Sequence, residues 1–493
     1  MSLTPLSAPP GLNSDETTFA SGGQWTDGSG VRFKEGRPQT IEGSFHLGDL
    51  PGGTECTDLY ATHVAHAYTV IYGTLSKVYA TTGSPVPSGA ADISPAGFLG
   101  VGDAGCAFDN FGSEVLFCPS GGTLYKYTGS GIATEVAQAP DRITDMLVTN
   151  ERQVLAFGCN EEISTDYNPL CIRGSDLEDY TNWTTSSTNN AFEHILDGMG
   201  SIIAARRIGQ YVAVWSTAAL HLGQFIGNPS QAYRFDLVDQ VPGPTSRSSV
   251  CVLDGTAYWL GTDLQMHAWM PGALPTVVPC PISGDFQANY DIGLPETDRM
   301  IIVPVYDEIW FFYTDTRDGN TGLPSRYIAY SPRESAAAQR PVWFRGSMTR
   351  SALCSGPAAS LLGGKLFSWL AANGTSIYRQ GDTAGSGSGA SYGPFSLTLG
   401  DIYLSNGQQR AMIRSFRPDF SGQVGDISVT VNVRDHPQST PVTKGPYTIS
   451  PGDTKKDFRA SGMIASFTFS SSDDPCAFRI GKPTIDVVPM GAR

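Results

Sequence analysis

GTAYWLGTDLQMHAWM, residues 255–270, carries the pattern that decides the fold. A short strand rich in Tyr and Trp runs into a tight turn and returns as a second apolar strand. Aromatic and β-branched residues suit a half-buried pleated surface, and Gly, Ser and Thr suit the turn. The same shape recurs in HAYTVIYGTLSKVYATTG (66–83), EVLFCPSGGTLYKYTG (114–129), QYVAVWSTAALHLGQF (210–225) and GKLFSWLAANGTSIYRQG (364–381). Two further pairs have looser turns: RQVLAFGC (152–159) with LCIR (170–173), and DEIWFFYT (307–314) with RYIAY (326–330). The seven hairpins start at 66, 114, 152, 210, 255, 307 and 364. Such spacing, with a few antiparallel strands per repeat, predicts a β-propeller of six or seven blades. The competing reading is a set of unrelated hairpins in one large β-sandwich.

Composition points the same way. The chain has 493 residues, with 56 Gly and 33 Pro, so uninterrupted helical windows are scarce. Charged residues make up 16% and hydrophobic ones 40%, enough apolar side chain for a sizeable core. Residues 1–50 read as an N-terminal arm with entry strands, the first twenty being polar, Pro-rich and expected to be free. Residues 51–382 read as the propeller. Residues 383–396 are rich in Gly and Ser and mark a boundary. The remainder, within 383–493, alternates in SLTLGDIYL, AMIRSFRPDF, DISVTVNVRD, ASFTFSS and AFRIGKPTIDVVPM, which predicts a β-sandwich or platform domain. The fold class is therefore all-β.

The formal charge is −15. Residues 386–493 hold eleven basic and nine acidic groups, so residues 1–385 carry a net −17. A protein that grips nucleic acid needs a basic footprint, which this chain lacks overall. Nine singly spaced cysteines without a CxxC pair suit small buried hydrophobes in a reducing compartment. The N-terminus lacks the features of a signal peptide, and no stretch has 18 consecutive apolar residues.

Catalytic constellations are thin. His194 lacks the second histidine of HExxH, and no GxSxG occurs. GGKL (363–366) lacks the Ser or Thr and the spacing of a phosphate loop. DTRDGNTG (315–322) has spaced acids but not the ligand pattern of a Ca²⁺ loop. His63 and His66 are neighbours without a completing Cys or carboxylate pair. Asp307–Glu308 and Glu178–Asp179 are adjacent acids of the kind a glycosidase uses, but such pairs are common in a chain with 47 acids. No catalytic, cofactor or metal residue is assigned, and the expectation is a protein without enzymatic activity.

Several segments, in order, resemble the tail nozzle or packaged-DNA stabilisation proteins of short-tailed bacteriophages. VRFKEGRPQTIEGSF (31–45) looks like that family's entry segment. SDLEDYTNWTT (175–185) resembles the acidic turn before a middle blade, and residues 234–250 followed by GTAYWLG resemble the next blade's entry. DEIWFFYTDT, RYIAYSP and VWFRGSMTRSA (342–352) resemble its most distinctive block, ending in a Trp-x-x-Gly turn. RSFRPDF (414–420), GPYTIS (445–450) and RIGKPTIDVVPMGAR (479–493) resemble its C-terminal module. Ala460-Ser461-Gly462-Met463 departs from the basic Gly-Arg step that family members often carry there.

The resemblance implies a virion tail protein, made in the bacterial host cytoplasm, without cofactor or membrane insertion. It implies a homohexameric ring that contacts the adaptor ring and other tail proteins such as fibres, and that lets genomic double-stranded DNA pass. Six copies would carry about −90, and an acidic lumen would repel a backbone bearing one charge per roughly 1.7 Å. No residue is singled out as channel-lining. The alternatives are a receptor- or glycan-binding propeller tail protein and a propeller glycosidase or lyase. The absence of SxDxGxTW boxes weighs against a sialidase.

Overall fold

In a computed structural model, the described residues are 2–490 except 18–19, 99, 103, 230, 304–305, 320–321, 363–367, 383–390, 392 and 406–408. The GGKL motif and most of the Gly/Ser-rich stretch lie outside them. The chain is all-β. Each of the seven hairpins forms the second and third strands of a four-stranded antiparallel sheet. Six sheets are continuous in sequence, spanning 56–92, 106–135, 145–195, 202–239, 250–277 and 299–347. They are blades 1 to 6. Blade 7 takes three strands from 352–382 and its outermost from Gly43–Asp49. The propeller therefore has seven blades.

The hairpins stand out in sequence because both their faces are covered by neighbouring blades. In Glu308–Tyr313 every side chain is buried. Outer strands carry a far weaker signal: Ala91–Asp92, Thr134–Glu135 and Thr276–Val277 are two residues each and exposed. Aromatic side chains fill the spaces between blades. Trp215, Trp259 and Trp269 pack between blades 4 and 5, and Trp183 joins Leu116, Met146 and Val154 between blades 2 and 3.

The innermost strands are held by a recurring clip. Asp58 of blade 1 accepts a hydrogen bond from the backbone N–H of Cys106, at the start of blade 2 (2.9 Å). Asp109 of blade 2 accepts from Val148 N–H of blade 3 (2.8 Å), and Asp145 of blade 3 from Ala205 N–H of blade 4 (2.9 Å). A charged acceptor on a backbone donor is stronger than a neutral one. Gly105 makes the first clip possible: its φ is +75°, and a Cβ there would lie 2.5 Å from the Asp58 carboxylate.

The second unit draws strands from both ends of the chain. Its three sheets contain Ser2–Pro5, Trp25–Ser29 and the hairpin Val31–Lys34/Arg37–Thr40, together with nine strands between Phe395 and Pro489. Phe416, Phe458, Phe467 and Phe469 centre its core, with Phe416 and Phe458 stacked at 5.3 Å. The expectation of a free arm over the first twenty residues is corrected here. Ser2–Pro5 pairs with Thr484–Val487, and Leu6 and Leu12 are buried. Strand SLTP carries a single large apolar residue, and its partner lies at the far end of the chain, so no local pattern marks it. Val442–Ile449 and Lys456–Gly462 are also strands that the alternation did not reveal. The Trp-x-x-Gly segment is corrected from a turn to a strand, Trp343–Ser347. Gly346 lies opposite Tyr327, whose ring occupies the space a side chain would need.

The N-terminal segment thus supplies strands to all three platform sheets and closes the ring. Deleting residues 1–49 is expected to abolish folding of the whole chain rather than trim an arm. Loss of soluble protein, or complete proteolysis under conditions where the full chain resists, checks this; a stable, resistant propeller core would contradict it.

Candidate functional site

Two charged clusters organise the molecule: a joint between platform and propeller, and a funnel on the propeller axis. At the joint, Arg32 of Val31–Lys34 is almost fully buried. Its guanidinium lies 3.0 Å from Glu42, 3.6 Å from Glu308 of blade 6, and 3.9 Å from the centre of the Tyr306 ring. Trp310 Nε1 donates to Glu308 at 2.8 Å, and the Tyr306 hydroxyl donates to Glu42. Burial raises the Glu308 carboxyl to about 7, with Arg32 and Trp310 drawing it back down. Burial opposes the charge on Arg32, but Glu308 and Glu42 outweigh it and its pKa is raised. Beside this cluster, Glu334 at the start of helix Pro332–Ala338 accepts from the backbone N–H groups of Glu35 and Gly36 (2.8 and 2.9 Å). The hairpin turn of the platform is thereby bolted to the propeller.

The funnel is lined by the first strands of the blades. Arg207 reaches from blade 4 to Asp109 (3.0 Å) and the Val148 carbonyl (2.8 Å). Arg206 pairs with Asp145 at 2.8 Å. Arg247, from the segment between blades 4 and 5, crosses the axis and lies 3.7 Å from Asp58 and 3.9 Å from Asp145. Farther along, Arg299 donates to the Thr57 and Ser351 carbonyls of blades 1 and 7 (3.1 and 3.0 Å). Burial raises the carboxyls of Asp58 and Asp109, each moderated by the arginines facing it. A cavity of about 390 Å³ remains among these groups. A space of that volume has the size of a small-molecule site and cannot thread a duplex. Its walls carry three aspartates and three arginines, so they are neutral overall.

The acidic excess lies elsewhere. Residues 141–197, essentially blade 3, hold eleven acidic and three basic residues, a net −8. Asp166, Glu178, Asp179 and Asp197 are exposed there.

The residues weighed in sequence are placed as follows. Asp315 and Asp318 of the DTRDGNTG segment form ion pairs with Arg317 and Arg326. Asp307 and Glu308 diverge, one toward Arg333 on the surface and the other to buried Arg32. Glu178 and Asp179 lie on an exposed turn. The rings of His63 and His66 are 6.4 Å apart, and His194 packs against Phe235. Among the described residues, no three His, Cys, Asp or Glu side chains gather as metal ligands. All nine cysteines are thiols, eight of them buried and Cys280 partly so. No described helix is long and apolar enough to cross a membrane. The axial charges were missed in sequence. Their signal is positional: Thr57-Asp58-Leu59, Thr144-Asp145-Met146, Ala205-Arg206-Arg207 and Asp298-Arg299-Met300 place a charge within an otherwise largely apolar first strand.

No family model matches the chain, and no curated protein matches it. Among solved structures, a streptogramin B lyase is 10% identical, with 69% of this chain and 97% of that chain covered and a TM-score of 0.43. BamB from Moraxella catarrhalis is 12% identical, with 70% and 98% covered and a TM-score of 0.35. Likeness at this level carries no functional argument. The propeller rests on the order of its own sheets.

Asp298 provides a measurable handle on the axial region. It is fully buried, accepts from Tyr290 (2.6 Å) and Thr245 (2.9 Å), and has no hydrogen-bond partner on its second oxygen among the described residues. Burial raises its carboxyl to about 8 despite these donors and nearby Arg299. The folded state therefore holds a proton that the unfolded chain releases near pH 4. Its stabilising contribution is full below about pH 4 and is lost as pH rises through about 8. Asp298→Asn is expected to fold and to flatten this decline, read as melting temperature against pH. An unchanged slope in the variant would contradict the assignment.

Proposed function

We propose that the chain is a structural tail subunit of a short-tailed bacteriophage, of nozzle type, which assembles as a ring and conducts the genome without catalysing a reaction. The observation that carries this reading is where the resembling segments meet. Arg32 of VRFKEGRPQTIEGSF contacts Glu308 of DEIWFFYTDT. Glu35 of the same hairpin pairs with Arg479 of the closing segment at 2.7 Å, and Arg37 donates to the Gly481 carbonyl at 3.1 Å. Asp419 of RSFRPDF accepts from the Lys482 N–H at 2.5 Å. Segments far apart in sequence thus build one joint, as expected if they are retained as a structural unit.

A narrow propeller axis, bridged by paired charges, changes how such a subunit would work. DNA cannot pass through the propeller of one chain, so a conduit has to lie between copies, walled by outer surfaces. The exposed acids of blade 3 are suited to that wall. They would repel phosphates within about 8–10 Å, the range left by screening at physiological salt. Cationic walls would hold the duplex and slow it.

Mass photometry and negative-stain microscopy of the purified chain are expected to show a six-fold ring with a central opening. A monomer at all concentrations and in the presence of tail components, or a trimer on fibres, would overturn the proposal. The latter outcome would favour the receptor-binding reading.

A further inference from the structure

The axial funnel has features that neither the clips nor the nozzle reading requires. Arg247 is only 8% exposed; among the described residues its Nε has no partner, and its side chain makes one long hydrogen bond, to the Ala104 carbonyl (3.4 Å). Its two carboxylates stand 3.7 and 3.9 Å away, beyond direct hydrogen bonding. A buried guanidinium left this loosely held is costly unless something else completes its shell. It faces the cavity of about 390 Å³.

The chemistry of the walls selects what can complete it. Three carboxylates and three guanidiniums cancel in sum, so the walls as a whole favour a ligand without net charge. What they offer is a dense set of planar acceptors beside planar donors. A hydroxyl donates to a carboxylate and accepts from a guanidinium at once, and so bridges gaps of the kind seen around Arg247. Part of the wall is apolar. Tyr60 and Phe108, half-buried and stacked at 5.4 Å with 10° between their planes, line the funnel beside buried Leu147. A neutral ring with many hydroxyls and one apolar face fits both surfaces.

We propose that the axial funnel is a saccharide-binding site that takes a neutral sugar unit, free or at the end of a glycan. Guanidinium and carboxylate groups around Arg247 and Arg207 hold its hydroxyls, and Tyr60, backed by Phe108 and Phe117, borders its C–H face. The proposal does not depend on ring assembly, which is measured separately. Either reading therefore fails without the other.

The test uses the full chain in isothermal titration calorimetry with glucose, galactose, mannose, rhamnose and N-acetylglucosamine. Inorganic phosphate and glycine serve as the anionic and zwitterionic comparators. At least one sugar is expected to bind saturably, with an affinity that barely changes with salt because the ligand is neutral. Arg207→Ala removes a side chain that is 44% exposed, so the fold should survive, as checked by its melting curve. The substitution is expected to weaken sugar binding about tenfold, equivalent to about 1.4 kcal/mol. Met199→Ala, on the exposed surface, should leave binding unchanged. Absence of binding by every sugar at about 50 mM, a concentration far above any useful affinity, would overturn the site. So would salt-sensitive binding of phosphate or glycine in place of sugars, or unchanged sugar affinity in a folded Arg207→Ala. Binding by the unmodified chain is read whether or not the variants fold.

Discussion

A ring of seven blades holds together only if its first and last blades are tied, and here the tie is a strand from the opposite end of the chain. Gly43–Asp49 lies along Ser376–Asp382, in a register that runs from Asp49 opposite Ser376 to Gly43 opposite Asp382. Unpaired edges invite association with other chains. Closure covers the outer edge of Ser376–Asp382 and ties the first and last thirds of the molecule together. The platform follows from the same constraint. Once residue 43 is fixed at blade 7, the preceding residues and those after the last blade emerge close together, and they pair into three sheets.

The platform meets the propeller through buried charge. Arg32 enters from the platform, Glu308 from blade 6 and Glu42 from the connector between the units. Buried ions are tolerated only with partners, and removing one partner costs more than the pair contributes. The joint therefore specifies orientation more than it adds stability. The propeller axis applies the same principle, with aspartates clipping successive blades and arginines crossing between them. The paired charges leave a small polar hollow on the axis.

Legibility followed burial. The seven hairpins could be read because their strands are covered on both faces, as in Glu308–Tyr313 and Val154–Asn160, where nearly every residue is apolar or small. The first strands of blades 1 to 4 and 6 were harder to read because each gives up a position to an axial charge such as Asp58, Asp145 or Arg206. Fourth strands of two residues hold too little pattern to detect. Of the candidate site, the acidic excess was visible as a total. The neutral funnel was not, because Asp58, Asp109, Asp145 and Arg247 are separated by 36 to 189 residues and become neighbours only when the ring closes.

The sequence by itself determined an all-β chain, seven hairpins at blade-like spacing and an acid balance confined to residues 1–385. These depend on local periodicity and composition, which every short window carries. Tertiary structure decided the blade count, the origin of the seventh blade's outer strand, the shared platform and the pairing of axial charges. Each of these is a contact between residues distant in sequence, made favourable by burial and hydrogen bonding that exist only once the whole ring has formed.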